Sequence, residues 1–273
     1  MNNRLFSLVD SLEKNRSLSL AEYTELIEGQ TPSLFEYAAK KADKARKSIY
    51  GNAVYVRGLI EIGNVCKNDC FYCGIRKSNG HCDRYILKEK DILHCAKQGY
   101  ELGFRTFVLQ GGEGVFSPDV ICRTVKKLKE MFPDCAVTLS LGEYEREVFE
   151  AFFSAGADRY LLRHETADKE HYEKLHPKSM SFERRMRCLY DLKDIGFQVG
   201  CGFMVGSPFQ TAKTLAKDLK FVEEFSPDMC GIGPFIPADH TPFENFPAGS
   251  AEQTVFLLSL IRLIKPNILL PST

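Results

Sequence analysis

The chain has 273 residues, 44% of them apolar and 26% charged, with 36 Lys and Arg balanced by 36 Asp and Glu. This composition excludes a disordered or fibrous chain and is ample for one large core. Neutrality gives no electrostatic basis for a nucleic-acid or anionic-membrane partner, and no apolar run reaches the length of a bilayer span. The N-terminal stretch MNNRLFSLVDSLEKNR scatters its charges and lacks the pattern of a secretory leader, so a cytoplasmic protein is expected.

In chain order, residues 1–50 read as a helical extension. Leu5, Leu8, Val9 and Leu12 fall at helical spacing. Ser19 and Glu22 form a capping box for a second helix that ends at Gly29, and a third runs over about 33–47. From 51 to 273 the pattern becomes strand, helix, strand. Strands are expected over 53–62, 105–110, 136–141, 158–163, 197–205, 228–235 and 267–270. Helices are expected over 88–102, 118–131, 143–155, within 164–195, and over 211–225 and 251–264. The expected fold class is α/β: a parallel (β/α) TIM-type barrel with an N-terminal helical extension. No G-x-G-x-x-G follows the first strand, which disfavours a dinucleotide-binding sheet. The pattern stops in the seventh unit, so an incomplete barrel with exposed strand edges, less stable and more aggregation-prone, is expected.

Cys66, Cys70 and Cys73 lie in VCKNDCFYCG, directly after the first barrel strand. Barrel active sites lie at the carboxyl ends of strands, which puts this loop at the functional mouth. Three thiolates can hold three irons of a [4Fe–4S] cluster and leave the fourth open. A zinc site completed by His81 or Cys82 fits less well, because structural zinc favours paired C-x-x-C units. Cys122, Cys188, Cys201 and Cys230 read as small core residues.

Other strand ends carry chemistry too. Gly111, Gly112 and Glu113 end the second strand, where glycines permit close backbone approach and a carboxylate can take an ammonium group. Arg163, His164 and Glu165 end the fourth, and three ionisable groups at one mouth point to function more than to a local ion pair. Arg185 offers a fork for a carboxylate, although Arg184 and Arg187 beside it fit a solvated helix face equally. Gly200, Gly202, Met204 and Gly206 suit a flat ring against backbone, whereas Ile232 and Phe235 read alone as core.

C-x-x-x-C-x-x-C with Tyr72 before its last cysteine resembles the radical S-adenosylmethionine (SAM) superfamily. The resemblance implies that SAM chelates the open iron and that one electron cleaves it to a 5′-deoxyadenosyl radical. The further segments VLQGGEG, VTLSLGE, DRYLLRHETA, MVGSPFQT and GIGPFIPADHTP resemble the HydE-type maturases of [FeFe]-hydrogenase, in the biotin synthase-like group. For this chain the likeness implies metal binding by Cys66, Cys70 and Cys73. It implies SAM contacts from Tyr72, Gly111, Gly112, Glu113, Ser140, Glu165, Arg185, Met204 and Ile232. Arg57, Gln110, Thr138, Arg159 and Arg163 would line a cavity for a small anionic organometallic or amino-acid-derived substrate. Arg57, Thr138 and Arg159 are placed mid-strand or near it, pointing inward. An unpaired buried arginine is costly, which itself argues for an anionic guest. The implied partners are HydG, HydF and an electron donor, and the implied role is assembly of the dithiomethylamine-bridged di-iron subcluster. Biotin synthase, methylornithine synthase or a non-catalytic iron–sulfur protein are the alternatives.

Overall fold

A computed structural model describes residues 3–271. The chain runs α1 (Asn3–Asn15), α2 (Leu20–Glu28), α3 (Pro32–Tyr50), β1 (Gly58–Gly63), α4 (Glu89–Glu101), β2 (Thr106–Gly111), α5 (Pro118–Met131), β3 (Ala136–Ser140) and α6 (Arg146–Ser154). It continues through β4 (Arg159–Leu161), α7 (Lys169–Leu175), α8 (Phe182–Ile195), β5 (Gln198–Cys201), β6 (Met204–Val205), α9 (Ala212–Phe225), β7 (Met229–Cys230), β8 (Gly233–Pro234) and α10 (Ala251–Ile264). Ser19 and Glu22 form the expected capping box of α2, and α3 starts on a Thr31 cap with Pro32 in its first turn. α2 lies along α9 and α3 along α10, so the N-terminal helices cover the outside of the last two helical units.

The sheet order is β1-β2-β3-β4-β5-β7, every neighbour parallel. Side chains alternate across it, as the pleat demands. Phe107, Leu109, Val137, Leu139, Tyr160 and Val199 join the helices in the main core. Their neighbours Leu59, Val108, Thr138, Arg159 and Gln198 stand in one register row on the other face, toward the barrel interior.

Four expected strands come out differently. The segment 53–57 is irregular, and Val54, Tyr55 and Val56 are exposed. The stretch 197–205 is interrupted at Gly202 and Phe203, where the Gly202 N–H donates to His164 Nδ1 (3.3 Å), while pairing toward β4 persists as the Glu165 N–H to Gly202 O bond (3.0 Å) and an isolated parallel Glu165–Phe203 bridge. The facing stretch 228–235 breaks at the same level, and β6 pairs with β8 as a separate short ribbon. The segment 267–270 docks beside β7 through a single parallel bridge, Leu269 to Met229.

Candidate active site at the carboxyl ends of the strands

The loop between β1 and α4 is fixed by polar side chains, because it has no ladder of its own. Asp69 accepts from the N–H (3.0 Å) and hydroxyl (2.8 Å) of Ser78 and pairs with Arg76 at 2.8 Å. Arg84 donates to four carbonyls, those of Asn64 (2.6 Å), Ile75 (2.8 Å), Arg76 (2.7 Å) and Asn79 (3.0 Å). The Lys67 N–H bonds to Glu113 O (2.9 Å) and the Phe71 N–H to Leu175 O (3.0 Å), tying the loop to β2 and α7. Cys66, Cys70 and Cys73 sit half-buried within this frame.

Burial pushes the Cys70 thiol up to about 12, with Arg185 pulling the other way and Cys73 and Glu165 adding to the rise. Cys73 is raised for the same first reason, and Cys66 and Glu165 act on it. Cys70 and Cys73 therefore both feel the Glu165 carboxylate. Among the described residues no three His, Cys, Asp or Glu converge as a single-ion site. His81 stacks on His240 (3.9 Å between ring centroids) and Cys82 accepts from Asn64 Nδ2 (3.5 Å), so both are engaged elsewhere.

Around the thiols lies a ring of buried charge. Arg185 is 6% exposed, which overturns the solvated-face reading. Its Nε donates to Glu143 Oε1 (2.5 Å) and its Nη1 to Arg163 O (2.7 Å). Glu143 also pairs with Arg184 at 3.2 Å. Glu143 is a site residue that the sequence reading missed, because 143–155 was expected to be helix; α6 starts only at Arg146. A signal existed: β2 and β3 are both followed by Gly-Glu, 112–113 and 142–143. Glu113 is buried and pairs with Lys67 at 3.0 Å, its carboxylate lying where a Cβ on Gly142 would be. A Cβ on Gly112 would overlap the Val65 carbonyl, so the β2 end must be glycine to meet the cysteine loop.

Glu165 is buried with φ at 65°, a left-handed backbone rare for a long side chain. Arg163 Nη2 lies 3.4 Å from Glu165 Oε2, too poorly aligned for a hydrogen bond. Arg163 Nε and Nη2 and Glu165 Oε2 are consequently buried without a hydrogen-bond partner among the described residues. Tyr72 is also enclosed. His176 Nδ1 faces Tyr172 O (2.9 Å) and so carries the proton, leaving Nε2 to accept from the Tyr72 hydroxyl (3.2 Å). Met204 packs with Leu175, Phe235 and Phe243, with Phe71 and Tyr72 against that group. Ser140 closes β3, and Ile232 is buried between β7 and β8.

Of the remaining residues, Gln110 lies at the mouth end of β2 in register with Ser140, whereas Arg57, Arg159 and Thr138 do not join this group. Arg57 precedes β1 and Arg159 is the first residue of β4, so both stand at the opposite pole; Arg57 lies outside any strand. Arg57 Nη1 meets Met229 Sδ (2.8 Å), while Arg159 donates to Gln198 Oε1 (2.6 Å) and Thr106 Oγ1 (3.3 Å). Both line a cavity of about 530 Å³, and Arg57 with Gln110 lines another of about 730 Å³ beside Leu59, Leu161 and Leu269. Thr138 is buried in register with Arg159.

A parallel β/α sheet with this mouth defines a class, and the comparisons agree. The chain belongs to the Radical SAM superfamily, which matches over residues 60–222 and whose members use a [4Fe–4S] cluster and SAM. It is 45% identical over 235 residues to the [FeFe] hydrogenase maturase subunit HydE of Thermotoga maritima, covering 86% of this chain and 67% of that protein, which sets it beside HydE in the biotin synthase-like group. It is 28% identical to the 3-methylornithine synthase of Methanosarcina acetivorans (85% of this chain, 66% of that one). A crystal structure of methylornithine synthase (PylB) superposes with a TM-score of 0.87 at 25% identity, covering 97% of this chain and 78% of that one. The aligned part thus spans about two thirds of the length of the HydE relative. The residues present fit the two cofactors: three free, half-buried thiols on one loop, and buried donor and acceptor atoms of Arg163 and Glu165 without hydrogen-bond partners among the described residues for a zwitterion.

Proposed function

We propose that this chain acts as a HydE-type radical SAM enzyme in assembly of the dithiomethylamine-bridged di-iron subcluster of [FeFe]-hydrogenase. The observation that carries it is the pairing of this mouth with two interior arginines that no carboxylate meets among the described residues, in a chain 45% identical to HydE. Cys66, Cys70 and Cys73 would hold the cluster. Glu165, Arg163 and Arg185 would take the ammonium and carboxylate of SAM, with the 111–113 turn and Ser140 alongside, and Tyr72, Met204 and Ile232 its adenine side. When bound, the two cofactors would supply one-electron reductive cleavage of the sulfonium C–S bond. The chain's own work is to orient that bond toward the barrel interior and keep water out. Arg57, Arg159, Thr138 and Gln110 would hold the anionic substrate there. Burial and then Arg159 lower the Arg57 pKa, a repulsion that an anion between them relieves.

The reading places the protein in the cytoplasm with HydG supplying the substrate, HydF receiving the product and a reductant serving the cluster. Free thiols throughout, and no described helix long and apolar enough to cross a membrane, support it. The test is to mature apo-hydrogenase with HydG, HydF and this chain in place of HydE. Hydrogen evolution is expected; turnover of dethiobiotin without hydrogenase activation would move the chain to another branch of the group.

A further inference from the structure

The left-handed turn that carries Glu165 is held from beneath by two side chains outside the site. His164 and Asp218 are both 0% exposed. Asp218 lies on the face of α9 that also buries Leu215, Leu219 and Val222, where a carboxyl is costly without a task. Its Oδ1 accepts the Ala167 N–H at 2.5 Å and stands 3.4 Å from His164 Nε2. His164 Nδ1 accepts from the Gly202 N–H, so the ring is neutral with its proton on Nε2, facing Asp218. The Glu165 N–H returns to Gly202 O. Residues 164–167 are thus pinned at both ends, and the disfavoured backbone at Glu165 sits between the pins.

We propose that Asp218, acting with His164, is a positioning residue: it clamps the 164–167 turn so that the Glu165 carboxylate projects into the SAM site. The proposal rests on the reading that Glu165 holds SAM. Asp218 touches neither the thiols nor the interior arginines in any described contact, so its effect must pass through the turn.

Two measurements test it. In the cofactor-free protein, amide hydrogen exchange at Glu165 and Ala167 is expected to be at least about tenfold faster in Asp218→Ala than in wild type, and near wild type in Asp218→Asn, which keeps the acceptor. In the cluster-loaded protein, calorimetric SAM affinity is expected to weaken about tenfold in Asp218→Ala, with Asp218→Ala/Glu165→Gln no weaker than Glu165→Gln alone. If Asp218→Ala does not fold, His164→Phe keeps the volume, loses the Nδ1 acceptor, and is expected to show the same signature. Unchanged exchange, an Asn variant as impaired as Ala, or penalties that add would overturn the proposal. Wild-type SAM affinity in Glu165→Gln would instead overturn the SAM reading of Glu165, leaving the exchange data to decide the clamp.

Discussion

The arginines at the mouth and those at the opposite pole live in different company. Arg185 is forked between Glu143 and a backbone carbonyl, and Arg163 lies beside Glu165. Among the described residues, Arg57 and Arg159 meet a thioether, an amide and a hydroxyl and no carboxylate. The mouth therefore sets carboxylates beside its arginines before any ligand arrives, as a site for a zwitterion should. The opposite pole carries surplus positive charge in a cavity, an arrangement that is paid for only when an anion enters.

The comparison can be broken in graded steps. The largest effect belongs to the cysteine loop: Cys70→Ser should abolish the cluster's absorbance and iron content and lower 5′-deoxyadenosine formation by at least about 100-fold. Next comes Glu143→Ala, which leaves Arg185 buried and unpaired. It should cost about 3–5 kcal/mol in chemical denaturation.

A smaller effect follows from His164 and His176. Burial lowers both to about 3 from 6.5. Below pH 6.5 the unfolded chain takes up protons that the folded one refuses, so stability falls as pH drops through that range and levels off near 3. At pH 5 the loss should be about 2 kcal/mol per histidine, and His176→Gln should flatten the curve by that amount. The smallest effect is at the opposite pole. Arg57→Met should stay within about 1 kcal/mol of wild type in stability, or exceed it, because it removes an uncompensated charge. It should nonetheless end substrate-dependent turnover; a loss of several kcal/mol would show that Arg57 has a structural partner after all.

Much of the mouth was legible because its chemistry is concentrated in unusual residues at strand ends. The cysteine loop, the Gly-Gly-Glu turn and the Arg-His-Glu run all reach one pole. What sequence could not supply was direction. Helical periodicity cannot choose among Arg184, Arg185 and Arg187: Arg184 and Arg185 both reach Glu143, and it is tertiary burial that sets Arg185 inside. The interruption at Gly202 goes with a third segment, the 164–165 turn, which takes the Gly202 backbone groups. Asp218 hid for a related reason: a carboxylate in a helix reads as solvated until tertiary structure buries it. Arg57 looked like a strand residue because Val54, Tyr55 and Val56 are strand formers, yet no neighbour pairs with them among the described residues.

The central claim is that the mouth works as a unit independent of the opposite pole. It is tested most directly by reconstituting wild type and Arg57→Met/Arg159→Met anaerobically, adding SAM and dithionite, and quantifying 5′-deoxyadenosine. The account predicts a brown protein with about four irons per chain and equal 5′-deoxyadenosine from both forms. A colourless, zinc-replete protein, or cluster-loaded protein that leaves SAM intact, would contradict it.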